Sequence, residues 1–183
     1  MKELRLHGRG GQGVVTAAEL IAQAAFADGK YAQAFPAFGS ERMGAPVQSF
    51  VRISDSPVRC RNQIYEPDFL IVQDPTLIGT VDVTAGLKPD GLLIIDTEKD
   101  PKDYNLKTEG KILTVPATKI ALEVIGRAIQ NTTLLGYFAA VTKIISFDGV
   151  KKAIEHRFPA KIAAKNVAAV ERAFALVKEE AHV

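Results

Sequence analysis

The sequence predicts an α/β fold: a three-layer, Rossmann-like sandwich on a mostly parallel sheet, with an inserted β-hairpin. Three observations predict it. A short apolar strand around Leu4 and Leu6 runs into a glycine-rich turn and at once into an amphipathic helix. Three later apolar runs, Phe69–Val72, Gly91–Ile95 and Ile112–Val115, are short and continuous, as strands covered on both faces are. Helical spacing then fills the C-terminal part of the chain.

The elements follow in order. The first helix runs from Val14 to about Ala27, with an apolar stripe at Val14, Ala18, Ile21, Ala22 and Ala25, and Gly29 ends it. Lys30–Phe35 reads as the second strand, and Pro36–Pro46 as a loop of Gly, Pro and small residues. Val47–Ile53 alternates like a half-exposed strand; Ser54–Pro57 turns it back, so that Val58–Arg61 is expected to pair with it. This hairpin, about residues 46–62, is an excursion from a single domain spanning 1–183. A short helix is expected around Ile78–Gly86, and a surface loop over Asp96–Lys111. Three helices close the chain: Thr118–Ile129, Thr132–Ser146 and Ala160–Lys178. Asn131 reads as a cap, and Gly136, costly inside a helix, as a place where another element comes close.

Composition bounds the function. With 183 residues, 47% of them hydrophobic, the chain can bury a real core. No apolar run approaches the roughly 18 residues of a membrane helix, and Met1–Arg5 leads straight into a strand without a signal peptide, so a cytoplasmic protein is expected. Twenty-three basic against 21 acidic residues leave a net charge of +2, which is no footprint for nucleic acid. Arg42, Arg52, Arg59 and Arg61 make a local basic excess, either a solvated hairpin face or a surface turned to an anion or a subunit. The one cysteine, Cys60, excludes an internal disulfide and an iron–sulfur cluster held by this chain alone; it is expected to be a buried or half-buried thiol. His7, His156 and His182 are too scattered to suggest a metal site.

In open α/β sheets, ligands bind beyond the carboxyl ends of the strands. That rule gathers Gly8–Gly13, Pro36–Met43, Gln73–Thr76, Asp96–Thr97 and Pro116–Thr118 along one edge. Gly8, Gly10 and Gly13 satisfy G-x-G-x-x-G, but the acidic residue that should end the second strand and hold a ribose is missing: Asp28 precedes that strand and Glu41 falls in a loop. A free nucleotide-binding module is therefore the weakest of the readings. Arg9 and Gln12 are the side chains the turn displays, Arg9 suited to pair bidentately with a phosphate or a partner carboxylate. His7, at the end of the first strand, reads as a packed imidazole.

His7–Gly13, Phe38–Pro46 and Ser49–Ser54, followed by Asp68–Val72, the Asn131–Gly136 helix start and Asn166 with Ala169 and Ala173, closely resemble a known family. The chain is similar along essentially its whole length to the γ subunit of the 2-oxoacid:ferredoxin oxidoreductases of the pyruvate or ketoisovalerate type. The resemblance implies one subunit of an assembly that oxidatively decarboxylates a 2-oxoacid, in this version of the turn pyruvate or ketoisovalerate, to acyl-CoA and carbon dioxide. It implies thiamine diphosphate and iron–sulfur clusters on α, β and δ type partner subunits, coenzyme A in the assembled enzyme, ferredoxin as acceptor, and no activity of the chain alone. Indolepyruvate and 2-oxoglutarate members are the near alternatives, and a purely structural docking subunit is the rival of a different class. The residues expected to face a cofactor are Gly8, Arg9, Gly10, Gly11, Gln12 and Gly13 in the turn, and Ser40, Glu41 and Arg42 in the loop after the second strand. Met43 stands where that family often has a second Arg or Gly. No residue is assigned to catalysis or to a metal.

Overall fold

A computed structural model describes residues 1–37 and 43–180. Its centre is a six-stranded sheet in the order β2-β3-β1-β4-β5-β6, formed by β1 (Lys2–Arg9), β2 (Tyr31–Pro36), β3 (Pro46–Ser54), β4 (Phe69–Val72), β5 (Leu92–Asp96) and β6 (Lys111–Val115). The strands β1, β4, β5 and β6 are parallel neighbours, while β3 runs antiparallel to both β1 and β2. The α/β fold is therefore as expected, but the hairpin is not. Val47–Ile53 does not fold back on Val58–Arg61, which forms no strand; β3 is an interior strand between β1 and β2. The reason is burial: Ser49, Phe50, Val51, Arg52 and Ile53 are all buried, so both faces of this strand are covered.

Side chains alternate across the sheet. Leu4 and Leu6 of β1, Val51 and Ile53 of β3, Ile71 of β4 and Ile94 of β5 enter the larger core, with all the helices. These are α1 (Val14–Ala27), α2 (Ala117–Val124), α3 (Gln130–Thr142), α4 (Phe147–Arg157) and α5 (Ala160–Glu180). The helix α3 is buried at every position from Gln130 to Ala139, because α5 packs against it from the side away from the sheet. There Gly136 admits the backbone of α5: a Cβ on it would lie 2.2 Å from the carbonyl oxygen of Val170. The expected close approach is real.

The opposite face is covered differently. Leu70, Val72, Leu93 and Ile95 pack against Leu77, Val83 and Leu87 from irregular chain, where a helix over Ile78–Gly86 was expected. Gly79 at φ +91° and Gly86 at φ +71° break any helix there, leaving a 3₁₀ turn at Pro75–Leu77. Two buried arginines complete this cover. Arg5 donates to the carbonyl oxygens of Ile64, Val83 and Ala85, and Arg52 to that of Asn62. Arg52 also pairs with Glu3 at 2.8 Å and lies over the Phe35 ring. It therefore shares no exposed basic face with Arg59 and Arg61, and Cys60 between those two is exposed rather than buried. Two helix boundaries also differ: α2 stops before Gly126 (φ +85°), and α3 ends at Thr142 with a separate α4 after it, capped by Ser146, whose Oγ accepts from Gly149 N. Among the described residues no helix is long and apolar enough to cross a membrane.

Candidate functional site at the carboxyl edge of the sheet

The parallel strands β1, β4, β5 and β6 end on one edge, and β3 begins there, because Arg9 of β1 faces Pro46. The end of the chain that leads into β3, residues 43–45, therefore returns beside the glycine turn. Gly10 N donates to Ala45 O and Gly44 N to Gly10 O, and Gly10 bridges to Met43. Ser40, Glu41 and Arg42 lie outside the described residues.

Gly8, Gly11 and Gly13 each have their own reason. Gly8 lets α1 close on β1: a Cβ there would stand 2.5 Å from Val14 Cγ2. Gly11 and Gly13 take φ of +93° and +71°, the left-handed region that disfavours side chains. Gly13 precedes α1 with no side chain capping it, and the first helical hydrogen bond runs from Ala17 N to Gly13 O. The N–H groups of Val14, Val15 and Thr16 thus have no helical partner, and the positive end of the helix dipole lies at the turn.

Gln12 locks the turn from within. Its Oε1 accepts from Arg9 N at 2.7 Å and its Nε2 donates to Asp74 Oδ2 at 2.8 Å. Arg9 reaches across the edge: Nε and Nη2 donate to Thr76 Oγ1 at 3.1 and 2.8 Å, and Nη1 to Gly44 O at 3.0 Å. Its Nε also lies 3.3 Å from Asp74 Oδ2. Arg9 therefore ties the returning loop to the segment after β4. Burial alone would push the Asp74 carboxyl up, but bonds from Thr76 and Gln12 and the nearby Arg9 outweigh it and hold the group below its ordinary range.

His7 is a packed imidazole. It is 1% exposed, and its Nε2 accepts the Nε–H of Arg5 at 3.0 Å. Burial first, and then the Arg5 charge, push its pKa down to about 3 against a weaker pull from Asp82. Asn131 sits one residue inside α3 rather than at its N-cap. Its Oδ1 accepts from Thr132 N and its Nδ2 donates to Gly13 O at 3.3 Å, so it binds α3 to the glycine turn.

Beside the turn, beyond the ends of β4, β5 and β6, lies a cleft of about 510 Å³. Its lining includes Gln12, Gln73 and Gln130, the acids Asp74, Asp96 and Glu98, and Lys119. Asp96 is buried; Thr118 donates to it from both N and Oγ1, yet desolvation dominates and raises its pKa. Strand-end positions such as Gln73 and Asp96 were marked in the sequence as a place. Their burial was not, since nothing in the local pattern reports it.

The chain matches the family model for pyruvate ferredoxin/flavodoxin oxidoreductase over residues 3–176. It is 55% identical to the pyruvate synthase subunit PorC of Methanosarcina barkeri over 84% of this chain and 85% of that one. It is 51% identical to the pyruvate/ketoisovalerate oxidoreductases common subunit gamma of Thermococcus kodakarensis, over 95% of this chain and 96% of that one. The crystal structure of pyruvate oxidoreductase subunit PORC from Thermotoga maritima superposes with a TM-score of 0.84 at 38% identity, covering 95% of each chain.

Proposed function

The chain belongs to the pyruvate ferredoxin/flavodoxin oxidoreductase family, and from that premise we propose that it is the γ subunit of a multi-subunit 2-oxoacid:ferredoxin oxidoreductase acting on pyruvate. The assembly decarboxylates the 2-oxoacid oxidatively, gives acyl-CoA and carbon dioxide, and passes the electrons to ferredoxin. Its other subunits are of α, β and δ type, and it works in the cytoplasm. The chain alone turns nothing over.

The single observation that carries a site role is the uncapped start of α1 behind a glycine turn, where Val14, Met43 and Asn131 leave no room for a side chain at Gly8, Gly11 or Gly13. Such a start suits an anionic group, and coenzyme A carries phosphates; when bound, it supplies the thiol that accepts the acyl group. Gly8, Gly10, Gly11 and Gly13 let the turn backbone come close to the anion, the N–H groups at the start of α1 hold it, and Gln12 and Arg9 keep turn and loop in register. Ser40, Glu41 and Arg42 are proposed to complete the site. The other cofactors do not fit this chain. One cysteine cannot ligate a four-thiolate cluster, and Asp90-Gly91, which precedes a strand like an ordinary turn, lacks the following Asn pair of a thiamine diphosphate motif. Those groups are proposed on partner subunits.

A γ chain shared between pyruvate and ketoisovalerate enzymes is the second reading, favoured by the printed name of the Thermococcus relative. An anaerobic pull-down of the tagged chain from its own cell, followed by dye reduction over a panel of 2-oxoacids with and without coenzyme A, tests both. One set of cluster-bearing partners with coenzyme A-dependent pyruvate turnover is expected. A second set active on ketoisovalerate establishes the shared chain, and a solitary, inactive chain overturns the proposal.

A further inference from the structure

The strand β2 stands at one end of the sheet, and among the described residues no strand lies beyond it. Its free groups follow from its bonded ones. Ala37 N donates to Gln48 O, and the register sets Phe35 against Phe50, Gln33 against Arg52 and Tyr31 against Ser54. In an antiparallel pair every second residue bonds inward, so Tyr31, Gln33 and Phe35 use their N–H and C=O groups on β3. Ala32 and Ala34 point theirs away from the sheet, and Pro36 ends the row because it has no N–H. Natural edge strands are commonly blunted by charge; Tyr31–Pro36 carries none.

The strand is complementary to itself. A two-fold axis through Gln33, perpendicular to the sheet, sets Ala32 of one copy against Ala34 of the other, and each such pair exchanges both of its backbone hydrogen bonds. The same axis sets Tyr31 against Phe35 twice, and Gln33 against its own mate. Tyr31 is 49% exposed, while Phe35 is held by the Phe50 ring at 5.2 Å and by the Arg52 guanidinium over its face. Aromatic residues directly opposite one another stabilise antiparallel strands. Moving the axis to Ala32 or Ala34 loses both aromatic pairs, so the side chains choose the register. No charge of the strand meets its like across the axis. On the helix side, Phe26 is 78% exposed and shares with Ala32 a groove of about 480 Å³, so a neighbour along this edge also covers apolar surface that one chain leaves in water. Any strand could meet the backbone groups; a second copy also matches the aromatics at both ends.

We propose that β2 is the interface through which two copies of this chain join edge to edge, making one continuous sheet of two six-stranded ones. The inference rests on the free strand and is independent of the coenzyme A reading. In the assembled enzyme it links two heteromeric units through these chains.

Sedimentation of the full chain at increasing concentration should show a species of twice the 19.8 kDa chain mass. Position is tested by cross-linking. Residues opposite one another without mutual hydrogen bonds have Cα atoms about 4.5 Å apart, within the reach of a disulfide. In a Cys60→Ser background, which removes the exposed native thiol, Gln33→Cys should oxidise to a covalent dimer. Tyr31→Cys, which would face Phe35, should not. Charge exchange is the second measurement. Gln33→Glu and Gln33→Lys should each weaken self-association at least about tenfold with folding intact by circular dichroism, and an equal mixture of the two should pair again. The proposal is overturned if the chain stays at 19.8 kDa at every concentration, if Tyr31→Cys cross-links as readily as Gln33→Cys, or if the mixture stays monomeric. It is overturned equally if Gln33→Cys in the assembled enzyme cross-links to a different subunit, which would make β2 the seat of a partner's strand.

Discussion

Lowering the pH from about 7 to about 5 protonates His7 in the unfolded chain and leaves it neutral in the folded one. In the fold, the imidazole Nε2 accepts the Nε–H of Arg5, so a second proton there would set two buried cations against each other. The folded pKa of about 3 lies below the ordinary 6.5. A base depressed in this direction contributes stability that is complete above the unfolded pKa. It is lost as pH falls from there towards the folded pKa. With those two values, the loss between pH 7 and pH 5 is about 2 kcal/mol. The figure is insensitive to the folded value, because a pKa of 4 would leave His7 about nine-tenths neutral at pH 5. Asp96 titrates with the opposite sign, so the His7 contribution is isolated against His7→Gln, whose amide oxygen can still accept from Arg5. Urea denaturation of both proteins at pH 7, 6 and 5 is the assay. The wild type should lose about 2 kcal/mol more than the variant over that range. Parallel losses in the two proteins, or a His7 C–H resonance titrating near 6.5, would refute the reasoning.

Three other outcomes are expected. Gly136→Ala sets a methyl 2.2 Å from the Val170 carbonyl oxygen; despite better helix propensity it should cost a net of about 2 kcal/mol, read as a fall in the urea midpoint with an unchanged slope. Asp96→Asn removes a carboxyl whose folded pKa is raised, a group that stabilises below its unfolded pKa and loses that contribution as pH climbs through the folded one. The variant should therefore lose less stability than the wild type between pH 4 and pH 8, and an equal loss would contradict the burial argument. Arg9→Ala frees Thr76, Gly44 and Asp74 together and should cost about 1–2 kcal/mol. In the assembled enzyme it should raise the coenzyme A concentration needed for half-saturation, and loss of assembly instead would favour the docking role.

The strands β1, β4, β5 and β6 were legible because short apolar runs between turn residues leave few alternatives. The place of β3 was not. Alternation along Val47–Ile53 says which residues share a face and nothing about the neighbouring strand. Arg52 made the strand look half exposed, although its charge is paired with Glu3 one strand away. The helix α4 was hidden by its composition, with Gly149 in the first turn and few apolar residues to mark a period. At the site, the glycine turn was visible as punctuation. The working partners of Arg9 lie 35 and 67 positions along the chain, and no local rule brings Gly44 and Thr76 to it. Gln73 was marked only by following an apolar run; its orphaned amide is a property of packing.

The uneven covering of the sheet divides the molecule into a slow side and a fast side. Where the helices lie, backbone N–H groups are bonded inside α1, α3 and α5, and exposing them to solvent requires dismantling the larger core. On the other side, the chain from 55 to 68 and from 78 to 87 is fastened largely by guanidinium groups gripping its carbonyl oxygens, an arrangement that leaves many of its own N–H groups outside regular ladders. Amide exchange and limited proteolysis should thus begin there. A protease cut near Arg59 or Arg61 would then leave the glycine turn, α1 and α3 standing on the intact side of the sheet.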